Sequence, residues 1–171
     1  MKTSSVAIKL ITHFEGLNDS DLKKIGLQPK QDVSGIITAG WGRALKDLDG
    51  SWLKGVAGYR RMLEIYPDLE TITVEEANQM LEEDLISREK QLNSLNLNLT
   101  QYQFDSLISL IFNIGFSNFK SSTLLRRIKG EKGSIKDAFL MWNRSDGKVY
   151  KGLILRRNAE STLFETGELL F

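Results

Sequence analysis

Two capping boxes fix where two helices begin, and they constrain this 171-residue chain more than any other feature. In Thr73-Val74-Glu75-Glu76 the threonine hydroxyl and the third-position glutamate can each satisfy a main-chain N–H that helix geometry leaves unpaired. Ala77, Leu81, Leu85 and Leu92 then recur on one face, which predicts a long helix over 73–93. Thr100-Gln101-Tyr102-Gln103 is the second box. Phe104, Leu107, Ile108 and Ile111 follow at i, i+3, i+4 and i+7, and Gly115 stops the run. Only Pro29 and Pro67 interrupt the sequence, so little opposes long helices elsewhere.

The same spacing predicts a helix over 4–14, carrying Val6, Ala7, Leu10, Ile11 and Phe14, capped by Ser4 or Ser5 and ended by Gly16. Residues 51–71, with Trp52, Tyr59, Met62, Leu63 and Tyr66, read as a helix ending before Pro67. Further helices are expected at 121–129, 134–143 and 153–166. Residues 17–50 lose the helical period and hold Gly26, Pro29, Gly35, Gly40, Gly42 and Gly50 around the β-favouring run Ile36-Ile37-Thr38. They read as a small irregular lobe with a strand or hairpin. The fold class expected is α+β, mostly helical.

Cysteine is absent and His13 is the one histidine. Disulfides, thiol nucleophiles and thiolate or His-triad metal sites are therefore excluded, and a Ser-His-Asp site is disfavoured. No metal or cofactor is expected. Lys9 breaks the apolar run near the amino terminus, and no window approaches the roughly 20 apolar residues of a membrane span. The reading is a chain without a secretory signal, made in the cytoplasm and not inserted in a membrane.

A net charge of +1 does not point to nucleic acid, but the charge is uneven. Residues 73–89 hold six acids and one base, which suits a solvated helix face. Residues 116–157 hold eleven Lys/Arg and three acids, a concentration that can attract an anionic polymer.

Without cysteine, and with one histidine, the chemistry left is that of carboxylates. Glu15 follows Phe14 at the end of an apolar helix, where a partly desolvated carboxylic acid can hold a proton and act as general acid. Asp32 opens the glycine-containing loop Asp32-Val33-Ser34-Gly35, a solvated setting for a second carboxylate. Two carboxyls in different environments are the kit for glycoside hydrolysis. Thr38 lies six residues after Asp32. An extended segment puts both on one face, and a turn near Gly35 puts them across from each other. Either way a hydroxyl can sit beside the carboxylate and help hold a water. A helix cap, a turn former and a β-former are the plainer readings of the three. Gly40-Trp41-Gly42 lacks the third glycine of a dinucleotide fingerprint, since Leu45 stands there, and no Walker lysine follows. Nucleotide binding is discarded. His13 reads as a surface or packing residue.

Together these motifs resemble the phage-type lysozymes, or endolysins, of glycoside hydrolase family 24. The first block is Ile8-Lys9-Leu10-Ile11-Thr12-His13-Phe14-Glu15-Gly16-Leu17, similar to the family's helix ending in Phe-Glu-Gly. The second is Asp32-x-x-Gly35-x-x-Thr38-x-Gly40-x-Gly42, similar to its β-lobe signature. The third and most specific runs through Leu99-Thr100-Gln101, Gln103-Phe104-Asp105, Phe112-Asn113-Ile114-Gly115, Ser122-Thr123-Leu124-Leu125, Phe139-x-x-Trp142-Asn143 and Gly152-Leu153-x-x-Arg156-Arg157-x-Ala159-Glu160. The blocks span nearly the whole chain in the family order.

The resemblance implies one lysozyme-like domain with two lobes and a cleft. The small lobe would cover about residues 15–72, a connecting helix 73–93, and a helical lobe 94–171 plus the N-terminal helix. It implies a muramidase that cleaves the β-1,4 bond between N-acetylmuramic acid and N-acetylglucosamine. Glu15 would be the general acid, with Asp32 and Thr38 activating the attacking water and inverting the anomeric centre. Asn113, Trp142 and Arg156 would be substrate-binding, with core packing the stronger reading for Trp142 and a surface role for Arg156 and Arg157 equally open. The partner would be peptidoglycan glycan strands, met by a monomer released from the host cytoplasm.

Three departures from the family pattern stand out. Glu15 and Asp32 are 17 residues apart, about twice the usual spacing, so Asp19 or Asp21 can instead take the second role; Asp32 is kept because Gly35 and Thr38 stand at the right offsets from it alone. Arg43 replaces the histidine often found after Gly-x-Gly, which bears on local packing. Residues 46–71 are longer than in a minimal member. The rival readings are a lytic transglycosylase of similar fold and a non-catalytic wall-binding module.

Overall fold

The computed structural model describes residues 1–16, 26–32, 34–145 and 147–171. In chain order the elements are α1 (Ser5–Glu15), β1 (Lys30–Gln31), β2 (Ile37–Ala39), β3 (Arg43–Ala44), α2 (Gly55–Ile65), a 3₁₀ turn (Pro67–Leu69), α3 (Val74–Asn93), α4 (Gln101–Ile114), α5 (Phe116–Lys120), α6 (Thr123–Ile128), α7 (Ile135–Leu140), β4 (Arg144–Ser145), β5 (Lys148–Val149) and α8 (Lys151–Thr166). The chain divides into two compact units, Glu15–Asp84 and Met1–Phe14 with Leu85–Phe171. The first half of α3 belongs to the former and its second half to the latter.

Both capping boxes form. Thr73 Oγ1 accepts from the Glu76 N–H at 3.1 Å, while the Thr73 N–H donates to Glu76 Oε2 at 2.7 Å. Thr100 and Gln103 repeat the exchange at the start of α4. Such caps contribute about 1 kcal/mol each. Ser4, rather than Ser5, caps α1: its Oγ accepts from the Val6 N–H and donates to Asp105 Oδ2 at 2.5 Å. Buried Asp105 on α4 thereby fixes the start of α1.

In the larger unit α4 packs on α8, and α7 on α8. The predicted stripe Phe104, Leu107, Ile108 and Ile111 is fully buried, each side chain contributing roughly 1.5–3 kcal/mol. On the same helix Ser106 Oγ donates to the Glu160 carbonyl, and Ser109 Oγ to Glu160 Oε1, both at 2.7 Å. Small hydroxyl side chains let α4 and α8 approach while binding two of the buried Glu160 oxygens.

The smaller unit is built on the antiparallel sheet β1–β2–β3, with Lys30 opposite Thr38, Gln31 opposite Ile37, Thr38 opposite Ala44 and Ala39 opposite Arg43. Its core holds Ile37, Ala39, Leu45, Leu53, Met62, Ile72, Ala77 and Met80. Gly40-Trp41-Gly42 closes the β2–β3 hairpin, so this turn opens no helix and offers no phosphate cradle. Gly40 has φ +57°, a conformation that favours glycine, and its Cα side packs against Ala77 on α3.

Three sequence readings need revision. The helix placed over 51–71 begins only at Gly55. Trp52 pairs instead with Lys46 as an extended bridge, and the Gly55 N–H is drawn to the Gly35 carbonyl. Helix α5 and the β4–β5 hairpin were not anticipated. The span expected as a helix over 134–143 ends at Leu140.

Candidate active site

Asp32 directly follows β1, and its main chain extends the ladder, with the Asp32 N–H bonded to the Ile36 carbonyl at 2.9 Å. Its Oδ1 accepts from the N–H groups of Ser34 at 2.8 Å and Ile36 at 2.9 Å. The carboxylate thus clasps its own turn, and Gly35 supplies the positive φ that the turn requires. Among the described residues, Asp32 Oδ2 receives no hydrogen bond. It remains on an exposed residue.

Thr38 stands opposite Lys30 in the ladder, and Asp32 lies two residues beyond Lys30. Residues two apart on a strand share a face, as do directly opposed residues. The hairpin therefore places Asp32 and Thr38 on one face as diagonal neighbours, the second of the two arrangements the sequence allowed. Thr38 is buried, and its Oγ1 donates to the Lys30 carbonyl at 3.1 Å. With its proton committed there, the oxygen meets other groups as an acceptor.

Glu15 is the last residue of α1, half-buried, and belongs to the same compact unit as Asp32 and Thr38. The alternatives Asp19 and Asp21 lie outside the described residues.

The other candidates sit in the larger unit. Asn113 is exposed near the end of α4, and Trp142 is half-buried just after α7. Of the two readings of Arg156, a substrate contact or a surface residue, its 3% exposure overturns the surface one. Its Nε is 3.1 Å from Glu160 Oε1, and its Nη2 donates to the Ser109 carbonyl at 3.2 Å. Arg157, for which a surface role was equally open, is fully buried, with Nε 2.8 Å from Glu160 Oε2. The i, i+3 and i, i+4 spacings to Glu160 were visible in the sequence. They mark an internal ion-pair cluster, because a buried carboxylate needs charged partners. The Arg157–Asn113 bond, across 44 positions, gave no sequence signal.

Arg43 shows what replaces the expected histidine. Its Nε is 3.0 Å from Asp84 Oδ2 and its Nη2 3.1 Å from Glu83 Oε2, with a further bond to the Met80 carbonyl. One guanidinium ties β3 to three groups on α3. No cluster of metal-ligating side chains occurs among the described residues.

A mostly helical chain with a small antiparallel sheet carrying this carboxylate–hydroxyl pair has the lysozyme-like architecture. Solved structures agree: a lysozyme variant of phage P22 superimposes with TM-score 0.70 at 34% identity, over 96% of this chain and 98% of that one. The muramidase domain of SpmX from Asticaccaulis excentricus gives 0.71 at 30% identity, with the same coverage. The phage lysozyme family matches residues 14–160, and the chain belongs to that family. It is 34% identical over 170 residues to an endolysin of Bacillus phage B103, a match covering 98% of this chain and 56% of that protein. The chain thus spans little more than half the length of that relative.

Proposed function

We propose that this protein is a muramidase that hydrolyses the β-1,4 bond between N-acetylmuramic acid and N-acetylglucosamine in peptidoglycan. The observation that carries the reading is the common face of Asp32 and Thr38 in the β1–β2 ladder, within the unit that also holds Glu15. Membership of the phage lysozyme family and similarity to a muramidase domain support it.

In this reading Glu15 donates its proton to the glycosidic oxygen as the C1–O bond breaks. Asp32 Oδ2 and Thr38 Oγ1 both accept from one water, and its oxygen attacks C1 from the opposite face. The water's second proton passes to Asp32. The new hydroxyl forms with inversion, an arrangement that needs carboxyls roughly 6.5–9.5 Å apart to admit the water. Glycan strands of the cell wall are the partner, reached after release and met by a monomer without metal or cofactor.

A lytic transglycosylase would need the glutamic acid but no water-holding pair. Mass spectrometry of fragments from purified peptidoglycan separates the two. Reducing muramic ends, with the α-anomer first by NMR, are expected. Ends carrying a 1,6-anhydro ring would overturn the hydrolytic reading.

A further inference from the structure

Trp52 is 46% exposed, and the strand registers fix which sheet face it stands on. Lys46 and Trp52 form an antiparallel bridge, and the Leu53 N–H donates to the Leu45 carbonyl at 3.1 Å. Leu45 and Leu53 are buried in the core of the smaller unit, so their strand neighbours Lys46, Trp52 and Lys54 turn to the opposite face. A second route gives the same answer. Lys54 bridges Ile36, and the Asp32 N–H bonds to the Ile36 carbonyl, so Asp32, Ile36 and Lys54 form one row across the sheet. Lys30 and Thr38, opposed in the β1–β2 ladder, share that face. The face carrying Asp32 and Thr38 thus continues to Trp52, which at ordinary strand spacings lies roughly 10 Å across the sheet and about 7 Å along it from Asp32.

This face is cationic and its aromatic is held in place. Lys30, Lys46 and Lys54 are exposed, and among the described residues none of them forms an ion pair. Lys46 Nζ sits over the Trp52 ring, 4.4 Å from its centroid. The hairpin is anchored on α2 and the segment after it: Arg61 Nε is 3.1 Å from Asp47 Oδ2, and the Tyr66 hydroxyl donates to the Lys46 carbonyl at 3.0 Å. A fixed indole offers an apolar plane with little ordering left to lose on binding. The C–H face of a pyranose ring matches such a plane, and unpaired ammonium groups beside it match carboxylates. We propose that Trp52 is a substrate-binding residue that stacks on a sugar of the glycan strand remote from the bond being cleaved, with Lys54 taking a carboxylate carried by that strand. The proposal rests on the muramidase reading for its substrate. It makes the protein selective for strands whose carboxyls are free over strands whose carboxyls are amidated.

The test uses soluble uncross-linked peptidoglycan strands, either with free carboxyls or with the same carboxyls converted to amides. Binding is read by isothermal titration on the Glu15→Gln protein, and hydrolysis on protein with Glu15 intact. Trp52→Ala should weaken binding of both strands by about threefold to tenfold, the scale of one aromatic contact. It should act on KM more than on kcat, and Trp52→Phe, which keeps a ring, should restore most of the loss. Lys54→Gln should leave amidated strands as they were and weaken the carboxylated ones by about twofold to fivefold, an exposed ion pair's scale. That selectivity should fade as salt rises. A Trp52 that merely braces the hairpin would lower Tm and leave both affinities and KM unmoved, and that result overturns the proposal. So does a Lys54→Gln protein that keeps its preference for free carboxyls. If Trp52→Ala fails to fold, Trp52→Phe and Lys54→Gln decide: weaker stacking in the first and a lost preference in the second uphold the proposal, and no change in either refutes it. Protein with Glu15 intact that binds strands in a Trp52-dependent way but cleaves none would refute the muramidase reading and uphold this one. Cleavage with Trp52-independent affinity and KM does the reverse.

Discussion

Thr38 Oγ1 donates to the carbonyl of Lys30, its directly opposed residue, at 3.1 Å. The bond spends the threonine's proton inside the β1–β2 hairpin, so its oxygen meets any further group as an acceptor. Thr38→Val keeps the β-branched shape but loses the donor. It should cost about 1 kcal/mol in urea unfolding and slow wall hydrolysis by about tenfold to a hundredfold through a misplaced water. Thr38→Ser should recover most of both.

Asp32→Asn separates the structural and chemical roles of one side chain. Asparagine retains an oxygen for the Ser34 and Ile36 N–H groups, so the turn and the thermal transition should be nearly unchanged. Hydrolysis should fall by about a hundredfold or more, because the amide cannot take the water's proton. Asp19→Asn and Asp21→Asn, assayed alongside, should keep activity. Loss in either of those with survival of Asp32→Asn would move the second role to residues 18–31.

Arg43 reaches Glu83, Asp84 and the Met80 carbonyl at once. Arg43→Met should lower unfolding free energy by about 1 kcal/mol, as expected of a partly exposed network. Arg43→His, able to serve one carboxylate, should lose less. Chemical denaturation of the three proteins at moderate salt gives the order directly.

The loop 47–51 has its own acid dependence. Hydrogen bonds from the Arg61 guanidinium, helped by the Leu48 N–H, hold the Asp47 carboxyl below its ordinary value of 3.8. A depressed carboxyl contributes stability that is present above the unfolded value and is lost as pH falls through the folded one. The Tm difference between wild type and Arg61→Met should therefore be constant at neutral pH and close as pH drops below about 3.8. A difference that persists undiminished at pH 2 would show that the pair is not its source.

Local chemistry made much of this legible in the sequence. Thr73 and Thr100 began their helices where expected, because capping is decided within four residues. Phe104 to Ile111 faced inward, because helical period alone sets that stripe. What failed depended on distant partners. Trp52 sits among helix-compatible spacing, yet it pairs with Lys46. The burial of Arg156 and Arg157 was hidden because Ser109, which completes their cluster with Glu160, lies about fifty positions away. The pair Asp32 and Thr38 stood between: their offset allowed two geometries, and only the strand register chose one.

The proposed general acid is the claim on which the rest depends. Wild type and Glu15→Gln should be compared for clearing of a purified peptidoglycan suspension, with thermal unfolding measured on the same samples. The account predicts rapid clearing by wild type, and at least a hundredfold loss in Glu15→Gln with Tm nearly unchanged. Full-rate clearing by a folded Glu15→Gln would contradict it.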